Sequence, residues 1–390
     1  MIKGALESER IEQIYGSLNG IEGVLHGRII DIRRSIQSQA DLKLLSVTPA
    51  MALGSCRFRL PKYESDPAIY ETIGDVFERL QIGYFFYIGG NDSMDTAHKL
   101  SDYFAQIGRD IRVIGIPKTI DNDLPVTDHT PGFGCAAKYI ATAMAEIIRD
   151  CEVYLVPSVT IVEIMGRNAG WLTAAAALPN AVGESAPHLV YLPEAPFDAA
   201  QFLEDVKEQQ RKHKCVIVAV SEGVKNPDGT YAAETFQSGK VDAFGHKYLS
   251  GVGKYLETLV SEKIGCKVRS IELNVLQRCA AHIASKTDID ESVRIGAAAV
   301  TAALGGETGK FMMFRRVSDN PYAIKVETCE VALVANQEKV VPKEWINDRG
   351  NHVTKEVFTY LMPLIQGSCE IPLKDGLPVH FQFDKTIVSY

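Results

Sequence analysis

Apolar runs bounded by glycine, proline and polar clusters recur through most of the chain. They are "YFFYIGG" (84–90), "RVIGIP" (112–117), "TIVEIMG" (160–166), "HLVYLPE" (188–194) and "CVIVAVSEG" (215–223). Each is nearly continuous rather than alternating, which predicts strands of a parallel sheet buried on both faces. Between the first two, Met94, Ala97, Leu100, Phe104 and Ile107 recur every third or fourth position and predict a helix with one apolar face. A second helix is expected from about Ala136 to Asp150, and "AAQFLEDVKEQQRKHK" reads as a charged surface helix. Strand and helix in this succession predict a doubly wound α/β fold. "KNPDGTYAAETFQSGK" (225–240) carries the turn signal Asn226-Pro227-Asp228-Gly229 and reads as a surface excursion. Beyond about residue 305 the succession weakens into shorter strand-like pieces such as "AIKVETCEVALV".

A chain of 390 residues has room for two domains of ordinary size. Its net charge of −8 argues against nucleic-acid and acidic-membrane partners, both of which need a basic surface. Any phosphate chemistry must then gather its cations locally. The eight cysteines form no CxxC pair, a pattern that fits reduced thiols rather than a zinc site. No apolar run approaches the ~20 residues of a membrane span, and the N-terminus "MIKGALESERIEQIYGSL" is charged and amphipathic, unlike a secretory signal. The expected compartment is the cytoplasm.

In open α/β sheets chemistry sits on the loops beyond the C-terminal strand ends, and several of those loops are unusual here. "YIGG" runs through Gly89 and Gly90 into Asn91, Asp92 and Ser93 at a helix start. Glycines admit a phosphate to the backbone, and a helix N-terminus offers N–H donors. Equally, Asp92 or Ser93 could be an N-cap. The next strand ends in "PKTIDNDLPVTDHT", where Lys118 precedes Asp121 and Asp123. Two carboxylates beside a lysine suit proton abstraction from a hydroxyl during phosphoryl transfer; Asx turns would also explain them. Arg167 in "EIMGRNAGWL" follows a glycine at a strand end, a good position to grip an anion or to pair with a carboxylate. Glu222 in "VSEG" could accept hydrogen bonds from sugar hydroxyls. Arg269, Arg278 and Arg57 are further cations for phosphates or for the surface. His282 has no partner at ligand spacing and reads as structural. Neither GxGxxG after a first strand nor GxxxxGK[ST] is present, so dinucleotide and P-loop folds lack support.

The set "GGNDS", "PKTIDND", "VEIMGRNAGW" and "VSEG", in that order, resembles the phosphofructokinase family, and the first two look like its pyrophosphate-dependent branch. The resemblance covers residues from about 5 to 310 and continues more loosely to the end. It implies two doubly wound parallel-sheet domains: a donor-binding one over 1–134, completed by part of 280–310, and a sugar-phosphate one over 135–280. Residues 311–390 would be a C-terminal appendage. It further implies a homo-oligomeric, Mg²⁺-dependent enzyme passing a phosphoryl group reversibly between pyrophosphate and fructose 6-phosphate. Asp121 would be the base, and Thr119 would contact the transferred group. Met165, Gly166 and Arg167 would bind the sugar phosphate with Glu222, Arg269 and Arg278. Arg57 would stabilise phosphoryl charge, while Asn91 and Asp123 occupy metal-associated positions. Asp92 stands where ATP-dependent members carry glycine and would exclude a nucleotide's α-phosphate. Lys118 would neutralise the leaving phosphate.

Three departures from the family pattern bear on these expectations. Asn91 replaces a carboxylate near the metal. Val275 in "ELNVLQRCA" stands where a substrate-binding histidine or tyrosine is common. The family's first strand and its loop of the form GG-x-x-P-x-x-N have no counterpart before "MIKGALES", so an open sheet edge and fewer phosphate-binding amides are expected. An ATP-dependent enzyme and a truncated, inactive regulatory homologue stay open as alternatives.

Overall fold

The fold was analysed in a computed structural model that describes residues 1–234 and 251–390. The chain opens with helix α1 (Ile2–Leu6), then strand β1 (Tyr15–Ser17), α2 (Ile21–Leu25) and β2 (Ile29–Asp31), with β1 and β2 paired antiparallel. Helices α3 (Gln39–Ser46) and α4 (Pro67–Arg79) lead to β3 (Tyr84–Gly89), α5 (Asn91–Gln106) and β4 (Arg112–Pro117). The apolar face read for α5 is the buried one: Met94, Ala97, Leu100 and Phe104 are core residues beneath β3 and β4. Ile107 caps the helix and is 41% exposed.

Helix α6 (Phe133–Glu152) carries the chain to a second sheet. It is built from β5 (Ser158–Ile164), α7 (Trp171–Ala175), α8 (Leu178–Ala181), β6 (Leu189–Tyr191), α9 (Ala199–Gln210), β7 (Cys215–Ser221), α10 (Val252–Lys263) and β8 (Lys267–Glu272). Its strand order is β6-β7-β5-β8, parallel throughout. β5 and β7 are central and almost wholly buried, as continuous apolar runs predict. The excursion after β7 begins with the expected turn, in which Gly229 N–H donates to Asn226 O at 2.9 Å; residues 235–240 of that stretch lie outside the described residues.

Helix α11 (Lys286–Leu304) then returns to the first sheet. Its Ile295, Ala299, Ala302 and Ala303 pack beneath Ile114, Ile116, Met312 and Phe314. α1 crosses it so closely that a Cβ on Gly4 would meet Ala297 Cα at 2.9 Å. Strand β9 (Lys310–Asp319) joins β4 in parallel, and β10 (Tyr322–Glu330) returns antiparallel to β9. Helix α12 (Lys355–Leu361) and a small hairpin, β11 (Leu373–Lys374) with β12 (Leu377–Pro378), complete the elements.

Two features differ from the sequence reading. The first sheet, ordered β10-β9-β4-β3 with β3 at its edge, is mixed rather than parallel throughout. Tyr84 to Ile88 are only partly covered, Ile88 being 48% exposed, because no described strand flanks β3 on its outer side. The residues after 311 are also woven into both domains: β9 and β10 extend the first sheet, while Asn351 O accepts the Val190 N–H of β6 at 2.8 Å. Among the described residues no helix is long and apolar enough to cross a membrane.

Candidate active site

The expected loops all follow C-terminal ends of parallel strands: 90–93 after β3, 118–123 after β4, 165–167 after β5 and 222 after β7. Lys118 N–H donates to Gly89 O at 3.0 Å, which locks the first two together. Helix α5 starts at Asn91 behind Gly90, with no side-chain cap, so neither Asp92 nor Ser93 is an N-cap. A Cβ on Gly89 would strike Ser93 Oγ at 2.1 Å, whereas the space beside Gly90 is open. An uncapped helix start next to open backbone is suited to an anion. Asp92 lies in that first turn, and its backbone carbonyl accepts the Thr96 hydroxyl at 3.1 Å.

The loop after β4 turns tightly. The Asp121 N–H donates to Thr119 Oγ1 at 3.1 Å, and that hydroxyl lies 3.3 Å from Asp121 Oδ2. Burial raises the Asp121 carboxyl above the usual carboxylate range, opposed by the Thr119 hydroxyl and the charges of Lys118, Arg167 and Arg278. Those cations arrive from three different loops, so the fold gathers locally what the net charge lacks. Burial lowers Lys118, whose ammonium lies 3.8 Å from Met51 Sδ. Met51 belongs to the same irregular stretch as Arg57, which is exposed.

In the second domain two loops interlock. Gly166 takes a φ of +152°, and its carbonyl accepts the Ser221 hydroxyl. A Cβ on Gly223 would lie 2.0 Å from Arg167 O. Gly166 N–H donates to Glu222 Oε1 at 3.4 Å, and Met165 N–H donates to Gln277 Oε1 at 3.3 Å. The buried Gln277 thereby ties the segment carrying Arg278 to the Met165–Arg167 loop. Glu222 is pushed up to about 7, first by burial. Arg167 Nε is buried without a hydrogen-bond partner among the described residues.

Arg269 is not brought to this cluster within the chain. It projects from β8 toward Asp150 (3.5 Å) and the Tyr154 ring (5.9 Å). Val275 is 45% exposed, and His282 is exposed.

Mg²⁺ takes oxygen ligands and is commonly held by one or two protein groups together with substrate phosphates and water. Asn91 Oδ1 and Asp123 Oδ1 are buried oxygens without hydrogen-bond partners among the described residues, at the adjoining ends of β3 and β4. Asp123 is pushed up to about 7, first by burial and then by Asp121, with Lys339 opposing the rise. The donor set fits Mg²⁺. No group of three His, Cys, Asp or Glu side chains suited to a metal exists among the described residues.

Sequence reading missed Gln277, Lys339 and Tyr360. Lys339 and Tyr360 come from the segment after β10 and converge on Asn122 and Asp128 in the loop after β4. Asn122 was legible only as part of "DND". Lys339 and Tyr360 carried no local signal, because their partners lie more than half the chain away.

The chain is similar to known proteins over nearly its whole length. The family described as Phosphofructokinase matches residues 1–303. A pyrophosphate--fructose 6-phosphate 1-phosphotransferase of Halomonas elongata is 42% identical over 372 residues, 95% of this chain and 88% of that protein. The protein of the same name from Methylococcus capsulatus is 40% identical over 95% of this chain and 87% of its own length. Among solved structures, pyrophosphate-dependent phosphofructokinase from Nitrosospira multiformis is 36% identical with a TM-score of 0.87, covering 100% of this chain and 92% of that one. The chain belongs to the phosphofructokinase family.

Proposed function

We propose that the protein transfers a phosphoryl group from inorganic pyrophosphate to the 1-hydroxyl of fructose 6-phosphate, reversibly. The observation that carries this reading is Asp121, a recessed carboxylate of raised pKa facing Lys118, Arg167 and Arg278. A base of that kind accepts a hydroxyl proton near neutral pH better than an ordinary aspartate. The substrate's 1-oxygen gives its proton to Asp121 and bonds to the terminal phosphorus. The bridging P–O bond breaks, and its electron pair leaves on the second phosphate, where the Lys118 ammonium balances the charge. Thr119 orients Asp121 and the transferred group. Arg167, Glu222 and the amides around Gly166 hold the sugar phosphate. Bound through Asn91 and Asp123, Mg²⁺ would supply charge neutralisation to the donor phosphates.

The donor assignment rests on Asp92 and Lys118. A carboxylate in the first turn of α5 repels a longer polyphosphate beyond the two phosphates that Lys118 and the Gly90 backbone can serve. The names of the relatives at 40–42% identity support the same donor and acceptor. We further assign the enzyme to the cytoplasm and to a homo-oligomer, in which Arg269 reaches a neighbouring subunit's sugar site. Arg57 adds charge to the donor side.

The test is kcat/KM with pyrophosphate and with ATP for the wild type, Asp92→Gly, Lys118→Gly and the double variant. Pyrophosphate should be strongly preferred by the wild type, and appreciable ATP turnover should need both changes, with non-additive effects. A wild type that prefers ATP would refute the assignment.

A further inference from the structure

Asp121 and Asp123 are separated by a residue that has no part in the chemistry. Asn122 is fully buried, and its backbone takes the left-handed conformation, with φ of +54°. Asparagine tolerates that region better than most residues, yet it needs something to hold it there. Here both ends of its side chain are held. Nδ2 donates to the Tyr360 hydroxyl at 2.9 Å, and Oδ1 accepts from Lys339 Nζ at 3.4 Å.

The same two residues hold the far end of the loop. The Tyr360 hydroxyl donates to Asp128 O. Lys339 Nζ donates to Thr127 O at 3.0 Å and to Asp128 O at 2.7 Å, and Lys339 N–H donates to Asp123 O at 2.7 Å. Among the described residues, all three hydrogen-bond acceptors of the ammonium are uncharged oxygens of one loop. Burial pushes this lysine down to about 8, against the attraction of Asp128 and Asp123. Keeping an ammonium buried on neutral acceptors is costly. An apolar side chain would pack the same space more cheaply but would leave the loop oxygens without donors.

We propose that Lys339 and Tyr360 are positioning residues for the reaction: by clamping Asn122 they fix the turn that presents Asp121 and Asp123 to the substrates together. This rests on the reading of Asp121 as the base. The segment after β10 is then part of the catalytic apparatus, although it touches no reacting atom.

Tyr360→Phe is the primary test, because it removes one hydroxyl and keeps the ring packed among Trp171, Trp345 and Arg316. Its kcat should fall about tenfold, the rate equivalent of one lost hydrogen bond. The KM for the sugar phosphate should stay within about twofold, because Gly166, Arg167 and Glu222 are on other loops. Asn122→Ala should lower kcat as well, and the double variant should lose less than the sum of the singles, since both changes break the Asn122–Tyr360 contact. Lys339→Met should show the same kcat-weighted loss and is the second probe if Tyr360→Phe does not fold. A lowered melting temperature with wild-type kcat in both variants would overturn the proposal, as would fully additive losses in the cycle. Running every assay with pyrophosphate and ATP separates the two claims. Turnover with ATP alone refutes the donor assignment and still reads the positioning ratio; a wild type inert with both overturns both.

Discussion

Asp121 gathers three cations from three loops, and that convergence makes it the most exposed of the single-residue claims. Asp121→Asn keeps the size and the Thr119 contact but cannot take a proton. It should bind the sugar phosphate normally while kcat drops about 100-fold or more, the upper part of the general-base range; near-normal turnover would remove Asp121 from the mechanism. Arg167→Ala should raise the KM for the sugar phosphate by about 10- to 100-fold, as for a charge-assisted contact worth ~1.5–3 kcal/mol. A stability loss with unchanged KM would mean that Arg167 only pairs with carboxylates. At this scale the sequence was informative where chemistry sits on the strand end itself. Gly90, Lys118, Asp121, Arg167 and Glu222 each follow a strand with an abnormal polar tail. It was silent on Lys339 and Tyr360, because Asn122 and Tyr360 are 238 positions apart and no period or spacing links them.

The elements matter through a close approach that places two of the loops. The β7 loop enters beneath the β5 loop so tightly that Gly223 has no room for a side chain. A Cβ there would sit 2.0 Å from Arg167 O, a backbone atom that cannot swing aside. Gly223→Ala should therefore displace the Gly166–Arg167 turn, raise the sugar-phosphate KM at least about tenfold and cost about 1–3 kcal/mol of stability as overpacking. Steady-state kinetics beside a urea titration checks both; an unchanged KM would show that the turn relaxes without disturbing the site. The buried strands were legible from continuous apolar runs, and β5 and β7 begin and end within two residues of the expectation. β3 was read as doubly buried from the same signal, yet Tyr84 to Ile88 are only partly covered. An apolar run reports affinity for a core and says nothing about how many neighbours a strand has. β9 and β10 were under-read for the opposite reason. Their ribbon has one wet face, where Arg315 pairs with Glu327 across the strands, so their apolar content is diluted by half.

Across the whole molecule, one buried ionic network ties the catalytic loop to the return helix and to the ribbon. His129, 2% exposed, lies between Asp128 (2.8 Å) on its own loop and Glu291 (2.7 Å) on α11, while Arg316 of β9 holds Asp128 at 3.0 Å. Burial alone would lower His129, but the two carboxylates together outweigh it and raise it above the ordinary histidine value. For Asp128, burial works upward and is outweighed by His129 and Arg316, so its carboxyl sits below the usual range. The signs fix the pH window. A histidine raised on folding contributes stability that is fully present below its unfolded value, about 6.5, and is lost as pH climbs through its folded value. The lowered aspartate contributes above about 3.9 and loses its share as pH falls through its folded value. The network is therefore strongest in mildly acid solution and weakens on the alkaline side through His129. His129→Gln leaves the buried Glu291 without its cation and Asp128 with Arg316 alone, and should cost about 3–5 kcal/mol where the imidazolium is charged. Denaturation of both proteins across mildly acid to alkaline pH checks this. The gap between them should be widest at the acid end and should narrow steadily as the wild-type imidazolium loses its proton. A gap that stays constant with pH would mean that His129 is neutral throughout, and that the network is held by hydrogen bonds without the charge.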